Sequence, residues 1–240
     1  MLIVDDAPAS HALFTSHLRE LNVHLPHAYT GGEALALAAD QRPDLILLEV
    51  CLPDMSGFDV CRELKEARID GLTGVPNRRY FDWRLTQGMA RARRGHQRVG
   101  LVRVDVDHFK QINDTLGHPI GDQTLCRVSE LVTATCRISD VPCRYGGDEF
   151  ALILPDADVG ECMEQATRLL GSVREDPRLT RLVNRPVTVS LGCASADAAG
   201  DIDIAGLIQR TDEALYSAKA AGRNRVAAYN DEGRISAAAA

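Results

Sequence analysis

The sequence predicts two fold classes in one chain, α/β over residues 1–69 and α+β over the remainder. Three observations support this prediction. Strand and helix patterns alternate in the first segment, which is typical of a parallel sheet covered by helices. In the second segment, helices surround two apolar runs joined by Gly146-Gly147, which indicates an antiparallel hairpin. The length of 240 residues suits one or two domains and a sizeable core.

Three strand–helix units are predicted in the first segment. Short apolar runs predict the strands, and amphipathic patterns predict the helices. The strands are residues 2–4, 23–29 and 44–50, and the helices are residues 9–21, 32–39 and 58–68. A loop over residues 53–57 separates the third strand from the third helix.

A second domain is predicted over residues 70–232, followed by a tail at 233–240. Gly71, Gly74 and Pro76 end the preceding helix, and Asn77 can cap the next one. The basic run from Arg91 to Arg94 is interpreted as a solvated helix end. The predicted helices are residues 80–94, 110–114, 122–137, 160–174 and 204–221, and the strands outside the hairpin are 100–106, 187–193 and 226–229.

Composition excludes several classes of function. A net charge of −7 disfavours nonspecific binding to nucleic acid. The seven cysteines are odd in number and lack Cys-x-x-Cys spacing, which favours reduced core cysteines of a cytosolic protein over a zinc site. No apolar run reaches the ~18 residues of a membrane span, and no signal peptide is visible. We therefore expect a cytoplasmic protein.

The hairpin carries the most informative motif, Arg144-Tyr145-Gly146-Gly147-Asp148-Glu149-Phe150. Positive φ angles are cheap only for glycine, so the turn is placed at the glycine pair. Asp148 then lies at the hairpin tip, and Asp105 ends an earlier strand. If these strands are antiparallel neighbours, both carboxylates can bind one Mg²⁺.

Together with other motifs, this stretch resembles the GGDEF family, the diguanylate cyclases that make cyclic di-GMP from two GTP. The resemblance covers about residues 70–229. It implies a palm-like, ferredoxin-type domain of a bacterial signalling protein that uses Mg²⁺ or Mn²⁺. The matching motifs are Asp70 to Arg79, Asp105 to Lys110, Asn113-Asp114, Gly117-His118, Gly121-Asp122, Arg144 to Phe150 and Ala214 to Arg225.

The resemblance implies roles for the charged residues at the hairpin. Asp105, Asp148 and the Val106 carbonyl correspond to the metal ligands of the family. Glu149 assists either a second metal or the attacking 3′-hydroxyl. Free backbone amides are expected where the strand gives way to a helix at His108 and Phe109, and they suit phosphate. The cations implied for phosphate are Lys110, Lys219 and Arg223, and the last two, four residues apart, are expected on one helix face.

Two further sets of residues are implied. Asn113 and Asp122 resemble the guanine readers of the family, and a carboxylate at 122 suits the N1 and N2 donors of guanine better than adenine. Leu72 and Phe109 either wall the base pocket or belong to the core. Arg137-Ile138-Ser139-Asp140 has the offset of the inhibitory product site of the family, and Arg168 is expected to add a further arginine.

Residues 1–69 resemble a response-regulator receiver domain of two-component signalling. The match rests on Asp5-Asp6, on Glu49 and on Leu52 to Gly57. It implies a partial flavodoxin-like fold, because three strand–helix units are predicted where a receiver has five. Glu49 stands at the phospho-acceptor position, so we expect no phosphorylation. The acids at 5, 6 and 49 either gather Mg²⁺ or form a solvated cluster. The apolar third strand becomes an edge open to pairing.

Three functions are weighed. A diguanylate cyclase needs two GTP-loaded domains facing one another, and therefore a homodimer. A module that senses cyclic di-GMP or GTP without turnover predicts a broken signature residue, and all of them are intact. A receiver-type adaptor is disfavoured by the missing units. The sequence thus favours a cyclase that is inhibited by its product, with no nucleic-acid partner.

Overall fold

The computed structural model describes residues 1–18, 23–41, 43–66, 68–95, 97–197, 203–230 and 234–238. The chain divides into two compact units, Met1–Arg68 and Ile69–Ala240. None of the helices in the described ranges is long and apolar enough to cross a membrane. All seven cysteines are free thiols, and Cys143, Cys162 and Cys193 are buried as expected.

The first unit is a small parallel α/β unit. Its elements are β1 (Leu2–Val4), α1 (Pro8–Leu18), β2 (His27–Ala28), α2 (Gly31–Gln41), β3 (Ile46–Leu48) and α3 (Gly57–Glu66). The strand order is β2-β1-β3 and both pairings are parallel, which confirms the predicted α/β class.

Element ends in this unit differ from the prediction. β2 and β3 are shorter because each pairs with β1, and β1 is only three residues long. The predicted helix over 9–21 is helical to Leu18, and residues 19–22 lie outside the described ranges. α3 ends at Glu66 instead of Arg68. The core is correspondingly small, with Leu2, Val4 and Val60 at its centre.

The second unit is a six-stranded sheet with helices on both faces. Its strand order is β5-β6-β4-β7-β8-β9, and β4 is antiparallel to both β6 and β7. The predicted hairpin and the α+β class are therefore confirmed. The elements are α4 (Arg78–Gly95), β4 (Arg98–Val106), α5 (Phe109–Leu116), α6 (His118–Thr135), β5 (Val141–Arg144), β6 (Glu149–Pro155), α7 (Val159–Arg174), α8 (Pro177–Val183), β7 (Val189–Asp197), α9 (Ile204–Ala220), β8 (Arg225–Tyr229) and β9 (Ile235–Ala238).

β4 is the central strand, and its two faces differ. Val102, Val104 and Val106 pack in the core that α5, α6 and α7 cover. Val99 and Leu101 point to the opposite face and pack in the core that α4 and α9 cover. Because side chains alternate along a strand, positions 103 and 105 continue this second face. The second face therefore becomes polar where β4 ends.

Two elements of this unit were not predicted. α8 begins after Asp176, whose carboxylate accepts the amide of Leu179 at 2.8 Å and caps the helix. β9 pairs antiparallel with β8 over Ile235–Ala238, where the sequence predicts a tail. Its alanine-rich sequence has low strand propensity, so pairing with β8 and not local preference defines the strand.

Candidate active site

The ends of β4 and β6 bring the predicted acids together. Asp105 is the register partner of Glu149. The amide of Val106 donates to the carbonyl of Asp148 at 3.2 Å. The neighbouring antiparallel strands expected from the sequence are therefore present, and all three acids lie at one end of the sheet.

Asp105 is buried and already paired with a cation. The Nζ atom of Lys219 donates to its Oδ2 atom at 2.6 Å. Burial is the main cause that raises the pKa of Asp105, the Lys219 ammonium opposes this, and the charges of Asp148 and Glu149 raise it further. The three carboxylates thus crowd negative charge at one place, and Lys219 from α9 supplies a positive charge to Asp105.

This donor set fits a hard divalent cation. Carboxylate oxygens are preferred ligands of Mg²⁺, and crowding of negative charge favours binding of a cation. In the ranges that the structure describes, no three His, Cys, Asp or Glu side chains form a ready-made metal cage. The ammonium of Lys219 is the cation that Asp105 contacts, through its Oδ2 atom.

The hairpin turn differs from the prediction. The amides of Tyr145 and Gly146 both donate to the carbonyl of Glu149, at 2.8 and 3.2 Å. Gly146 and Gly147 are not among the described glycines with positive φ, so the predicted reason for the glycine pair is wrong. A Cβ on Gly147 would meet nothing within 4 Å. The longer turn closes without left-handed residues, and neither glycine is required by a close contact.

Arg144 holds the hairpin tip and is absent from the predicted site. Its guanidinium donates to the carbonyl of Gly147 at 2.7 Å and to the carboxylate of Asp70 at 2.9 Å. Asp70 also accepts the amide and the hydroxyl of Thr73. Arg144 therefore joins the Asp70-to-Thr73 turn to the tip. The two charges are 74 residues apart, and no local pattern links them.

Asp107 is a second residue that the prediction missed. It is buried, and it accepts hydrogen bonds from the hydroxyls of Thr188 and Ser190, both at 2.7 Å. The same carboxylate accepts the amide of Asn224 at 3.0 Å. Asp107 therefore fixes the end of β4 to β7 and to the turn after α9. Its position two residues after Asp105 was the available signal.

The cations occupy three different elements. Lys110 is exposed in the first turn of α5. That helix begins directly after His108, which has a left-handed φ of 57°. Lys219 lies in the last turn of α9. Arg223 follows that helix with φ of 64°, next to Asn224 at 47°, so the predicted shared helix face is wrong. The left-handed turn after Ala220 carries Arg223 away from the helix.

The predicted guanine readers lie on two packed helices. Asn113 belongs to α5, and Asp122 is exposed on α6. A Cβ on Gly121 would collide with Oδ1 of Asn113 and lie 3.2 Å from the ring of Phe109. Gly121 therefore lets α6 approach both side chains, a role that the sequence motif contains but the prediction did not assign.

Leu72 lies beside the same helix. Its carbonyl accepts the Cys126 thiol at 3.3 Å. Burial raises the pKa of Cys126, and the charge of Asp122, one turn earlier, raises it further. Leu72 is 37% exposed, whereas Phe109 is partly buried against the main core. Phe109 therefore contacts the core, whereas Leu72 lies at the surface.

The predicted product-site residues line one cleft. Arg137, Asp140 and Arg168 are among its lining residues. The amide of Arg137 donates to the carboxylate of Asp140 at 2.7 Å, which fixes the turn before β5. Beside it lies a groove of about 710 Å³ lined by several arginines, including Arg91 and Arg137. Arg91 is exposed as expected, and its place in this groove was not predicted.

The acids of the first unit are held by local amides. Asp5 accepts the amide of Ala7 at 2.8 Å. Glu49 accepts the amides of Val50 and Cys51, at 2.7 and 3.2 Å. Asp6 is exposed. Local amides therefore satisfy Asp5 and Glu49, which fits the solvated cluster weighed from the sequence.

Two family models match the chain. The model described as "Diguanylate cyclase, GGDEF domain" matches residues 67–225. The model described as "Response regulator receiver domain" matches residues 1–74. Together they account for both units of the structure.

Curated relatives agree with the first of these matches. Response regulator PleD of Caulobacter vibrioides is 40% identical over 167 residues, which are 68% of this chain and 36% of the relative. Diguanylate cyclase DosC of Escherichia coli is 40% identical over 161 residues, which are 67% of this chain and 35% of the relative. The chain thus spans about a third of the length of the curated relatives it matches.

Solved structures show the same fold. The GGDEF domain of DgcB from Caulobacter crescentus, in complex with c-di-GMP, has a TM-score of 0.62 at 35% identity, over 68% of this chain and 93% of that one. The active GGEEF domain of a diguanylate cyclase from Vibrio cholerae has a TM-score of 0.60 at 34% identity, over 65% of this chain and 97% of that one. The chain therefore belongs to the GGDEF family of diguanylate cyclases, with a receiver-type segment ahead of the GGDEF domain.

Proposed function

We propose that this protein condenses two molecules of GTP into cyclic di-GMP. The observation that carries the proposal is the group of Asp105, Asp148 and Glu149 at one end of the sheet, with Lys219 on Asp105. In each of two steps a ribose 3′-oxygen bonds to an α-phosphorus while the bond to the β-phosphate oxygen breaks. Two pyrophosphates leave, and each attacking hydroxyl releases a proton.

Asp105, Asp148 and the Val106 carbonyl are the groups that would hold Mg²⁺ or Mn²⁺. The metal, when bound, neutralises charge on the phosphate oxygens and the leaving group. Lys219 has two uses in this scheme. It balances the charge of Asp105, and its ammonium would pair with the phosphates of a bound GTP. Lys110 and Arg223 add positive charge from α5 and from the turn after α9.

Asp122 and Asn113 select guanine in this proposal. A carboxylate accepts the two adjacent donors of guanine, and adenine lacks this donor pair. Asp122 is exposed on α6 and so remains open to a ligand. Leu72, also exposed, supplies an apolar wall nearby.

Product inhibition belongs to the same proposal. Arg137, Asp140 and Arg168 lie together at a crevice of only about 10 Å³, so the room for an anionic dinucleotide is the arginine-lined groove of about 710 Å³ beside it. The four residues of β5 separate Asp140 from the hairpin tip. At 3.3 Å per residue this distance is about 13 Å, so the two sites are distinct. We expect Arg137→Ala to keep catalytic activity. The concentration of cyclic di-GMP needed for half-maximal inhibition should rise by at least tenfold. Inhibition that stays unchanged in this variant would remove the regulatory claim.

Incubation of the pure protein with GTP and Mg²⁺, followed by chromatography, tests the proposal. We expect cyclic di-GMP and pyrophosphate to accumulate in a ratio of one to two. ATP in place of GTP is the matched control and should give no cyclic dinucleotide. Because each domain holds one GTP, the rate should rise with more than the first power of protein concentration. Absence of product from GTP at high protein concentration would overturn the function.

A further inference from the structure

Arg103 is a buried arginine in the middle of the central strand. Its residue surface is 4% exposed. It follows Val99 and Leu101 on the apolar face of β4 and precedes Asp105 on that face. An apolar side chain would continue this face, and burial of a charge is costly unless it is paired. The position therefore calls for a specific role.

The Arg103 guanidinium bridges two carboxylates. One terminal nitrogen donates to Oε2 of Glu149 at 2.6 Å, and the other lies 3.0 Å from Oδ1 of Asp212. Glu149 is the second acid of the hairpin motif, and Asp212 lies on α9. Arg103 therefore joins three elements of the domain behind the candidate active site.

Aromatic contacts fix the orientation of the guanidinium. Arg103 stacks over the Tyr145 ring, 3.6 Å from its centroid, and Arg78 lies 4.5 Å from the same centroid. Phe81 contacts the ring edge-on at 5.0 Å. Tyr145 is itself part of the hairpin turn, because its amide donates a hydrogen bond to the Glu149 carbonyl. The face of the Arg103 guanidinium thus packs on Tyr145 of the hairpin turn, and its edge donates to the Glu149 carboxylate.

Two ion pairs of opposite polarity connect α9 to β4. Asp212 of the helix pairs with Arg103 of the strand, and Lys219 of the helix pairs with Asp105. Residues 212 and 219 are two turns apart, so both side chains lie on one helix face. Under the proposed function Lys219 leaves Asp105 for phosphate. The Arg103–Asp212 pair then remains to hold the helix on the strand.

We propose that Arg103 is a positioning residue that holds the Glu149 carboxylate in place and keeps α9 on β4 while Lys219 changes partner. The inference rests on the proposed function, which it deepens. Lysine cannot replace this arginine, because a single ammonium neither forks onto two carboxylates nor stacks flat on a ring. Arg103→Lys keeps the charge and removes the geometry, so it is the informative substitution.

The first test is hydrogen exchange at single amides in the protein without nucleotide. The amides of Tyr145 and Gly146 both donate to the Glu149 carbonyl. We expect Arg103→Lys to speed their exchange by about tenfold or more, which corresponds to ~1.4 kcal/mol, and to leave Ile153 within threefold. Arg127→Lys is the matched control, since Arg127 pairs with Asp176 at 2.7 Å away from the hairpin, and it should leave the two turn amides unchanged. Equal exchange in Arg103→Lys and the parent would overturn the positioning role.

The second test is a double-substitution cycle in the cyclase assay. A misplacement of about 1 Å costs on the order of 100-fold in rate, so we expect Arg103→Lys to lower kcat by about 10- to 100-fold with KM for GTP within threefold. If Arg103 acts in part through Glu149, the loss of activity in Arg103→Lys with Glu149→Gln is smaller than the product of the two single losses. Fully multiplicative losses would contradict the inference while leaving the function standing. A parent protein without cyclase activity would remove the proposed function, and the exchange experiment would still decide the contact.

Discussion

Carboxylates lie at the ends of strands in both units, but their hydrogen-bond and ion-pair partners differ. In the first unit, Asp5 and Glu49 accept amides no more than two residues away. In the GGDEF domain, Asp105 and Glu149 take cations that are 114 and 46 residues away. Local amides satisfy an acid where it stands. In the GGDEF domain, neighbouring strands bring several acids to one place, and such a place can hold a metal and do chemistry.

The comparison extends to the supporting structure. The GGDEF domain surrounds its acids with a six-stranded sheet and helices on both faces. The first unit has three short strands and a small core. A rigid scaffold is what keeps catalytic groups within a fraction of an ångström. We therefore expect substitutions at the two sets of acids to have very different consequences.

The largest expected effect separates the two sets directly. Asp148→Ala removes a proposed metal ligand, so we expect the rate of cyclic di-GMP formation to fall by about 100-fold or more, as for loss of a major electrostatic group. Glu49→Ala is the matched control in the first unit and should leave the rate within twofold. Both variants should keep the circular dichroism of the parent. Turnover by Asp148→Ala above a tenth of the parent rate would show that this acid is misassigned.

The next effect concerns substrate binding within the GGDEF domain. Asp122→Ala leaves guanine donors without a partner, which costs about 1–3 kcal/mol. We expect the Kd for a non-hydrolysable GTP analogue, measured by calorimetry, to rise by about 5- to 150-fold on that basis. Asp114→Ala, on the same pair of helices, serves as the control. A Kd within twofold of the parent would place the guanine elsewhere.

The sequence predicts the scaffold of the site better than its contacts. Alternating apolar residues and the turn between them predict that β4 and β6 end with Asp105 and Asp148 side by side. The cation partner of Asp105 lies on α9, and a spacing of 114 residues leaves no local pattern. Backbone conformation is harder still. The spacing from Lys219 predicts Arg223 on the helix, but a left-handed turn follows α9. The Asp107 carboxylate accepts the amide of the next residue, Asn224, and fixes that turn.

A smaller effect is expected in the first unit, from a histidine pair. His11 is buried, its Nδ1 atom lies 2.5 Å from Nδ1 of His27, and its Nε2 atom lies 2.7 Å from the carbonyl of Asp5. Because a carbonyl only accepts, Nε2 of His11 donates to it, and the two Nδ1 atoms share one proton between them. Thr15 and Tyr29 complete the surroundings. A proton on both Nδ1 atoms would break this contact.

The pair predicts a loss of stability in acid. Burial, and next the charge of His11, lower the pKa of His27 from its usual value of 6.5. The unfolded chain then binds the proton more tightly, so this stability is present above pH 6.5 and is lost as the pH falls through the lowered pKa. We expect faster hydrogen exchange at the amides of Ile3 and Asp5 on acidification, after correction for intrinsic rates. His27→Asn should flatten this dependence, whereas substitution of exposed His17 should not.

No effect is expected from reagents that phosphorylate receiver domains or mimic their phosphate. By resemblance to receivers, Glu49 is predicted to stand at the phospho-acceptor position, and its carboxylate accepts hydrogen bonds from the following two amides. We therefore expect acetyl phosphate and beryllofluoride to leave both cyclase rate and sedimentation unchanged. A change in either quantity, absent in Glu49→Ala, would mean that the first unit retains a phosphate switch.

The most direct test of the central claim is the location of a bound cation. Crystals grown with Mn²⁺ and a non-hydrolysable GTP analogue give an anomalous peak that identifies the metal independently of the phosphates. We predict a peak between Asp105 and Asp148, with Lys219 moved from its 2.6 Å contact with Asp105 to a phosphate. A peak at Asp5 and Glu49, or Lys219 still paired with Asp105 beneath a bound nucleotide, would contradict the account.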